Sequence, residues 1–174
     1  MKSLIQAGAA ALLLSGCQQP AHAADPARPT VIELFQSQGC SSCPPANANL
    51  NAIADRPDVI ALSFAVTYWD NLGWKDTFAR DAYTARQWDY ARGLHHGNVF
   101  TPQMVVNGAR DLVGVNAGEV AAALKSAGSP AGPAIGVGAG GVTVAKGAAP
   151  KGGADVWLVR YDPRVQQVAI KRGE

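Results

Sequence analysis

The sequence predicts an α/β fold in which a parallel βαβ unit is followed by an antiparallel hairpin. Three observations support this prediction. Residues 31–35 form a short apolar run rich in β-branched residues, as in a buried strand. Residues 59–66 are nearly all apolar, which is typical of a parallel strand covered on both faces. Asn107 and Gly108 follow another apolar run and form the strongest short-range hairpin signal.

The first helix is predicted between the two parallel strands. Pro44 and Pro45 are suited to its first turn, where a missing N–H costs little, and Pro57 ends it. After the second strand, residues 68–94 are predicted to be a helical insert, with a helix over about 81–92.

The second half of the domain begins with strands predicted over 103–106 and 110–114, which pair across the Asn107-Gly108 turn. Asn116 is expected to cap a last helix, with Glu119 completing a capping box and Gly128 at its end. Residues 128–174 are rich in glycine and alanine and predict a β appendix with short strands over 142–144, 156–159 and 165–170. The appendix is expected to be truncated or shortened, because the chain stops directly after a predicted strand.

The N-terminus has the pattern of an export signal. Residues 1–17 combine a basic start with an apolar segment too short to span a bilayer, and they end in Leu-Ser-Gly-Cys, which resembles a bacterial lipobox. We therefore expect lipidation of Cys17, with 18–29 as a linker and the protein anchored in the cell envelope, facing the periplasm. The alternative is ordinary cleavage after Ala23, which would leave a soluble periplasmic or secreted protein.

Either cleavage leaves Cys40 and Cys43 as the free thiols of the mature chain. The Cys40-Ser41-Ser42-Cys43 motif lies between the first strand and the first helix, and two intervening residues are expected to place both sulfurs in the first helical turn. The free N–H groups there favour a thiolate, the nucleophile of disulfide exchange. The same spacing also occurs in half of a zinc site, but the chain has no second such motif.

The order of strand, CxxC helix, strand, insert, Thr-Pro, hairpin and helix resembles the thioredoxin fold over residues 30–127. The resemblance implies that Pro102 is cis and close to Cys40, and that Thr101 offers its backbone to an extended substrate. It also implies that Cys40 is the exposed, attacking cysteine and that Cys43 resolves the mixed disulfide.

A narrower resemblance is to a bacterial secreted family with a thioredoxin-like fold, catalogued as domain of unknown function 1223. Its motifs are ELFQSQGCSSCPP at 33–45, YWD at 68–70, LGWKD at 72–76 and TPQMVVNG at 101–108. The chain departs from the family pattern at Ala65 and Thr67, where His and Asp are expected. No activity is implied by the family.

Four further residues are candidates for the site. Glu33 in the first strand could handle a proton during exchange, or it could be a solvated or salt-bridged carboxylate. Tyr68, Trp69 and Trp74 follow the second strand at the same edge of the sheet, so they could bind substrate at the wall of the site or simply pack in the core.

These features predict an exported thiol–disulfide oxidoreductase that acts on protein thiols or disulfides in the periplasm, with its own disulfide in place of a cofactor. The alternative is a periplasmic copper-binding or copper-delivery protein that uses Cys40 and Cys43 with His95 or His96. A third reading is a redox-silent binding module with a structural disulfide. The charge of +2 is spread without a basic stripe, so no nucleic-acid partner is expected.

Overall fold

The structure is a computed structural model and describes residues 28–128, 130, 132–148 and 151–170. The predicted α/β class is confirmed: a four-stranded mixed sheet is covered by three helices, in the element order of a thioredoxin-like fold. The elements are β1 (Thr30–Gln36), α1 (Pro44–Ile53), β2 (Val59–Ala65), a 3₁₀ turn (Asp70–Leu72), α2 (Asp81–Gly93), β3 (Gln103–Val106), β4 (Arg110–Leu112), α3 (Ala117–Ala127), β5 (Ile135–Gly138) and β6 (Gly141–Val144).

The sheet has the strand order β2-β1-β3-β4. β1 pairs in parallel with β2 and antiparallel with β3, and β3 forms the predicted hairpin with β4. The prediction that β2 is covered on both faces is wrong, because Ile60 and Ser63 are exposed. β2 is the outer strand of the sheet, and an outer strand is only partly covered by neighbouring elements.

Helices cover both faces of the sheet. On one face, α1 and α3 pack against Ile32 and Leu34 of β1. On the other face, Phe35 packs with Val105 and with the ring of Tyr90 from α2. Because side chains alternate along a strand, Glu33 shares the α2 face with Phe35. This alternation decides what Glu33 contacts.

Local sequence signals account well for the hairpin and for α3. Asn107 and Gly108 have φ values of 49° and 66°, so both adopt the left-handed conformation that a tight hairpin turn requires. The side chain of Asn116 accepts hydrogen bonds from the N–H groups of Gly118 and Glu119, as expected of an N-cap. β4 ends two residues earlier than predicted.

The appendix is only partly as predicted. β5 and β6 form an exposed two-stranded hairpin that includes residues 142–144. The prediction of strands over 156–159 and 165–170 is wrong, because both segments lack regular secondary structure. Trp157 is 80% exposed, so apolar character here does not reflect burial against a partner strand. A strand forms only where another strand accepts its hydrogen bonds.

The predicted signal, with the lipidation site Cys17, lies outside the described residues. Within the ranges that the structure describes, no helix is both long enough and apolar enough to span a membrane.

Candidate functional site: the Cys40–Cys43 disulfide and its surrounding loops

Cys40 and Cys43 form a disulfide in the turn that follows β1, with their Cα atoms 5.5 Å apart. The N–H of Cys43 donates to the carbonyl of Cys40, and the carbonyl of Cys43 accepts the N–H of Asn47. The prediction that both sulfurs lie in the first helical turn is therefore wrong: Cys43 is the N-cap, and α1 begins at Pro44. Pro44 and Pro45 fit the first two helical positions, which fixes the start of the helix after the motif.

This arrangement changes the electrostatics expected from the sequence. A helix normally presents several free N–H groups at its N-terminus. Here the N–H of Cys43 is bonded to Cys40, and the two prolines have no N–H to offer. Ala46 therefore supplies the first N–H of α1. The helix provides fewer donors for a thiolate than the motif alone suggests.

Both cysteines are fully buried, so the expectation that Cys40 is exposed is wrong. The side chain of Trp69 packs beside the disulfide turn. Its Cβ lies 3.1 Å from the position that a Cβ on Gly39 would occupy, so the indole-bearing segment packs directly against the residue before Cys40. Because neither cysteine has exposed surface, a partner thiol reaches the disulfide only after neighbouring residues have moved.

Trp69 also connects the disulfide turn with the Thr-Pro loop. Its indole N–H donates to the hydroxyl oxygen of Thr101 at 2.8 Å. The peptide bond between Thr101 and Pro102 is cis, as the resemblance implies, and Pro102 is fully buried. The structure thus joins, through one side chain, the two motifs on which the sequence prediction depended.

The loop before the disulfide is held by the insert. Asp76, which is buried, accepts the N–H of Gln38 at 2.8 Å. The indole N–H of Trp74 donates to the side-chain oxygen of Gln38, also at 2.8 Å, and the Gln38 amide donates to Thr77. Trp74 is therefore a support for this loop. Sequence reasoning missed Gln38 and Asp76, although Asp76 belongs to the LGWKD motif that carried the family resemblance.

Tyr68 lies in the same insert but contacts helix α2. Its hydroxyl donates to the side-chain oxygen of Gln87 at 3.2 Å. Burial raises the pKa of the Tyr68 phenol, and hydrogen bonds with Thr101 and Gln87 oppose that shift. Tyr68 is thus a neutral hydrogen-bond donor at ordinary pH. Gln87 is a further residue that sequence reasoning missed, because nothing in its local pattern distinguishes it from an exposed helical glutamine.

Glu33 is buried and fully engaged on the α2 face of the sheet. Arg86 donates to both of its carboxylate oxygens, at 2.5 and 2.8 Å, and the Tyr90 hydroxyl donates at 2.5 Å. Burial and the neighbouring Glu33 raise the pKa of the Tyr90 phenol, while the bond to Glu33 raises the pKa of the Arg86 guanidinium. The structure thus places Glu33 in a salt bridge, the alternative interpretation of this residue, and on the face opposite α1.

His95 and His96 have different environments. His96 contacts the carboxylate of Asp111 at 2.9 and 3.1 Å, and its ring packs edge-on against Phe100. His95 is exposed, with a φ of 61°. Among the described residues, no group of three or more His, Cys, Asp or Glu side chains is arranged to hold a metal ion. The copper hypothesis therefore gains no support from the geometry.

The packing of Trp69 against Gly39 can be tested for an effect on access to the disulfide. We expect Trp69→Ala to increase the rate of disulfide reduction by dithiothreitol roughly tenfold, because access limits thiol–disulfide exchange. The measurement is the appearance of free thiol under native conditions. Trp88→Ala, on the partly exposed side chain of α2, is the matched control and should leave the rate unchanged. Equal rates for Trp69→Ala and wild type would show that Trp69 does not limit access.

Comparisons with known proteins place the chain in a family but give it no activity. The family described as "Protein of unknown function (DUF1223)" matches residues 31–174. The chain is also similar to a crystal structure of the protein AGR_C_4864 from Agrobacterium tumefaciens, with 41% identity and a TM-score of 0.53. That similarity covers 56% of this chain and 44% of the other, so the chain spans less than half of that protein. No functionally curated protein matches. Since the family match covers most of the sequence, this chain belongs to the DUF1223 family.

Proposed function

We propose that this protein is an exported thiol–disulfide oxidoreductase in which Cys40 and Cys43 form the redox-active pair. The observation that carries the proposal is the disulfide itself, which closes a four-residue turn at the carboxyl end of β1. Ligands bind at this edge of open α/β sheets. The cis Thr101–Pro102 loop, bonded to Trp69, provides a second wall of the same region.

The proposed reaction exchanges one disulfide for another. A thiolate of a partner dithiol attacks the sulfur of Cys40, the Cys40–Cys43 bond breaks, and Cys43 leaves as a thiolate. The second thiolate of the partner then attacks the partner's first sulfur, which is bonded to Cys40 in the mixed disulfide. This attack forms the disulfide of the partner and expels Cys40 as a thiolate. Two electrons and two protons pass from the partner dithiol to the cysteine pair, and the reverse reaction oxidises a partner by the same steps.

A purely structural disulfide is a weaker explanation of this bond. In the chain-entropy account, closing a loop of about four residues stabilises the folded state by only about 2 kcal/mol, less than a longer loop would give. The turn is also held without the disulfide, by the backbone hydrogen bond between Cys43 and Cys40. A structural bond should moreover have a potential below about −300 mV, so a glutathione buffer would leave it oxidised.

The partners proposed are protein thiols or disulfides of the periplasm. This part of the proposal depends on the export signal, and the oxidising environment outside the cytoplasm would allow the pair to cycle. A lipid on Cys17 would hold the domain at the membrane. The burial of both cysteines, with Trp69 packed against Gly39, supports a reaction in which partner binding displaces neighbouring residues before exchange.

The test is a trapping experiment. We expect Cys43→Ser to accumulate mixed disulfides through Cys40 with exported proteins, because the resolving thiol is gone. Cys40→Ser is the matched control and should trap far fewer. The complexes are identified on non-reducing gels, where they disappear after reduction. If neither variant forms adducts and wild-type protein is not reduced by a glutathione buffer, the pair is not redox-active and the disulfide is structural.

A further inference from the structure

We infer that Gln87 is the positioning residue that fixes the Thr101–Pro102 loop against the disulfide. This inference rests on the proposed function, because it concerns how a partner thiol is presented to Cys40. Gln87 lies in α2 and is fully buried. It is distant in sequence from the cysteines and belongs to none of the motifs that identify the family.

The side chain of Gln87 bonds to the residues on either side of the Thr101–Pro102 pair. Its amide nitrogen donates to the backbone carbonyl of Phe100 at 2.7 Å and to the side-chain oxygen of Gln103 at 2.8 Å. Phe100 directly precedes the pair and Gln103 directly follows it. One buried amide therefore holds both ends of the loop. Small displacements of α2 would be transmitted through this amide to the loop.

The direction of these hydrogen bonds is set by Asp111. An ionised carboxylate only accepts hydrogen bonds, so the Gln103 amide must turn its nitrogen toward Asp111, at 2.7 Å. The oxygen of Gln103 then faces Gln87, which has to donate. The remaining oxygen of Gln87 is left to accept the Tyr68 hydroxyl. A side chain without N–H groups at position 87 cannot donate the hydrogen bonds to Phe100 and Gln103.

The loop is also held by Trp69, whose indole N–H donates to the Thr101 hydroxyl. Gln87 and Trp69 both restrict where Thr101 lies, and Trp69 also packs against the residue before Cys40. Loss of the Gln87 bonds would free Phe100 and Gln103 to shift. A displacement of about 1 Å in a positioning element can lower a reaction rate by up to about a hundredfold.

The test compares Gln87→Met, which keeps the length of the side chain but removes every hydrogen bond, with wild type. The probes are dithiothreitol and an unstructured peptide with one cysteine. We expect exchange with the peptide thiol to slow by at least about tenfold, while the rate with dithiothreitol changes by less than about threefold, because only the peptide uses the loop. Val120→Ala, in the core on the other face of the sheet, controls for lost stability.

A second readout does not depend on exchange. The indole N–H of Trp69 is bonded to Thr101, so its NMR signal should shift in Gln87→Met and stay in place in Val120→Ala. Asp111→Asn is a milder variant, because an asparagine no longer sets the orientation of the Gln103 and Gln87 amides. It should also slow exchange with the peptide thiol, but by less than Gln87→Met.

The inference is overturned if Gln87→Met and Val120→Ala slow peptide exchange equally, or if the indole signal does not move. Failure of wild type to exchange with either thiol would overturn the proposed function instead, and the indole signal would then decide separately whether Gln87 positions the loop.

Discussion

Replacing Arg86 with methionine is expected to lower the free energy of unfolding by about 3 kcal/mol, because it leaves the buried carboxylate of Glu33 without its cation. Glu33 is only 3% exposed, and of its partners among the described residues Tyr90 would remain to bond it. Methionine keeps much of the apolar packing of the arginine against Phe64 and Tyr90, so the loss reports the charge pair. The measurement is urea unfolding of the oxidised protein.

Arg92→Met is the matched control for this prediction. Arg92 lies on the same helix and pairs with Asp89, but both side chains are exposed, so we expect a loss below about 0.5 kcal/mol. The double variant Glu33→Leu with Arg86→Met should recover most of the stability, since it removes the buried carboxylate together with its half-exposed cation. If Arg86→Met costs no more than Arg92→Met, the ion pair does not stabilise the fold.

Asp76→Ala is expected to lower the free energy of unfolding by about 2 to 3 kcal/mol, because bonds to a charged group are lost and a buried N–H remains unsatisfied. The two carboxylate oxygens of Asp76 accept the N–H groups of Gln38 and Phe78, each at 2.8 Å. The Gln38 loop leads directly to Cys40, so we also expect faster alkylation of the reduced cysteines by iodoacetamide under native conditions.

Two variants control the Asp76 measurement. Asp76→Asn keeps one acceptor oxygen and should lose about half as much stability. Asp89→Ala removes an exposed carboxylate and should lose less than about 0.5 kcal/mol. A loss below that value in Asp76→Ala, together with unchanged alkylation, would show that this carboxylate does not support the loop.

The function of the insert becomes clear only from these contacts. Trp74 and Asp76 hold the loop before the disulfide, while Trp69 and Gln87 hold the Thr-Pro loop. The insert between β2 and β3 therefore supports both loops of the proposed redox site. We therefore expect changes in the insert to alter both loops that flank the disulfide.

The sequence predicted much of the fold because its signals are local. The Asn107-Gly108 turn, the Asn116 cap and the prolines of α1 each specify the backbone within a few residues, and the structure confirms all three. Cys40 and Cys43 were recognised as a pair for the same reason, because their motif lies within a few residues of sequence. Where apolar composition alone was used, over 156–159 and 165–170, the predicted strands are absent, because a strand also needs a partner at its edge.

What the sequence determined by itself was the order of the elements and the location of the disulfide turn and the Thr-Pro loop. The environment of these two motifs, in contrast, depends on the tertiary packing of distant elements. Glu33 pairs with a residue 53 positions away, and Trp69 meets Thr101 across 32 positions. Periodicity and turn chemistry act over a few residues, whereas burial and side-chain partners depend on which distant elements pack together. The cysteines were therefore predictable as a pair, but their complete burial was not.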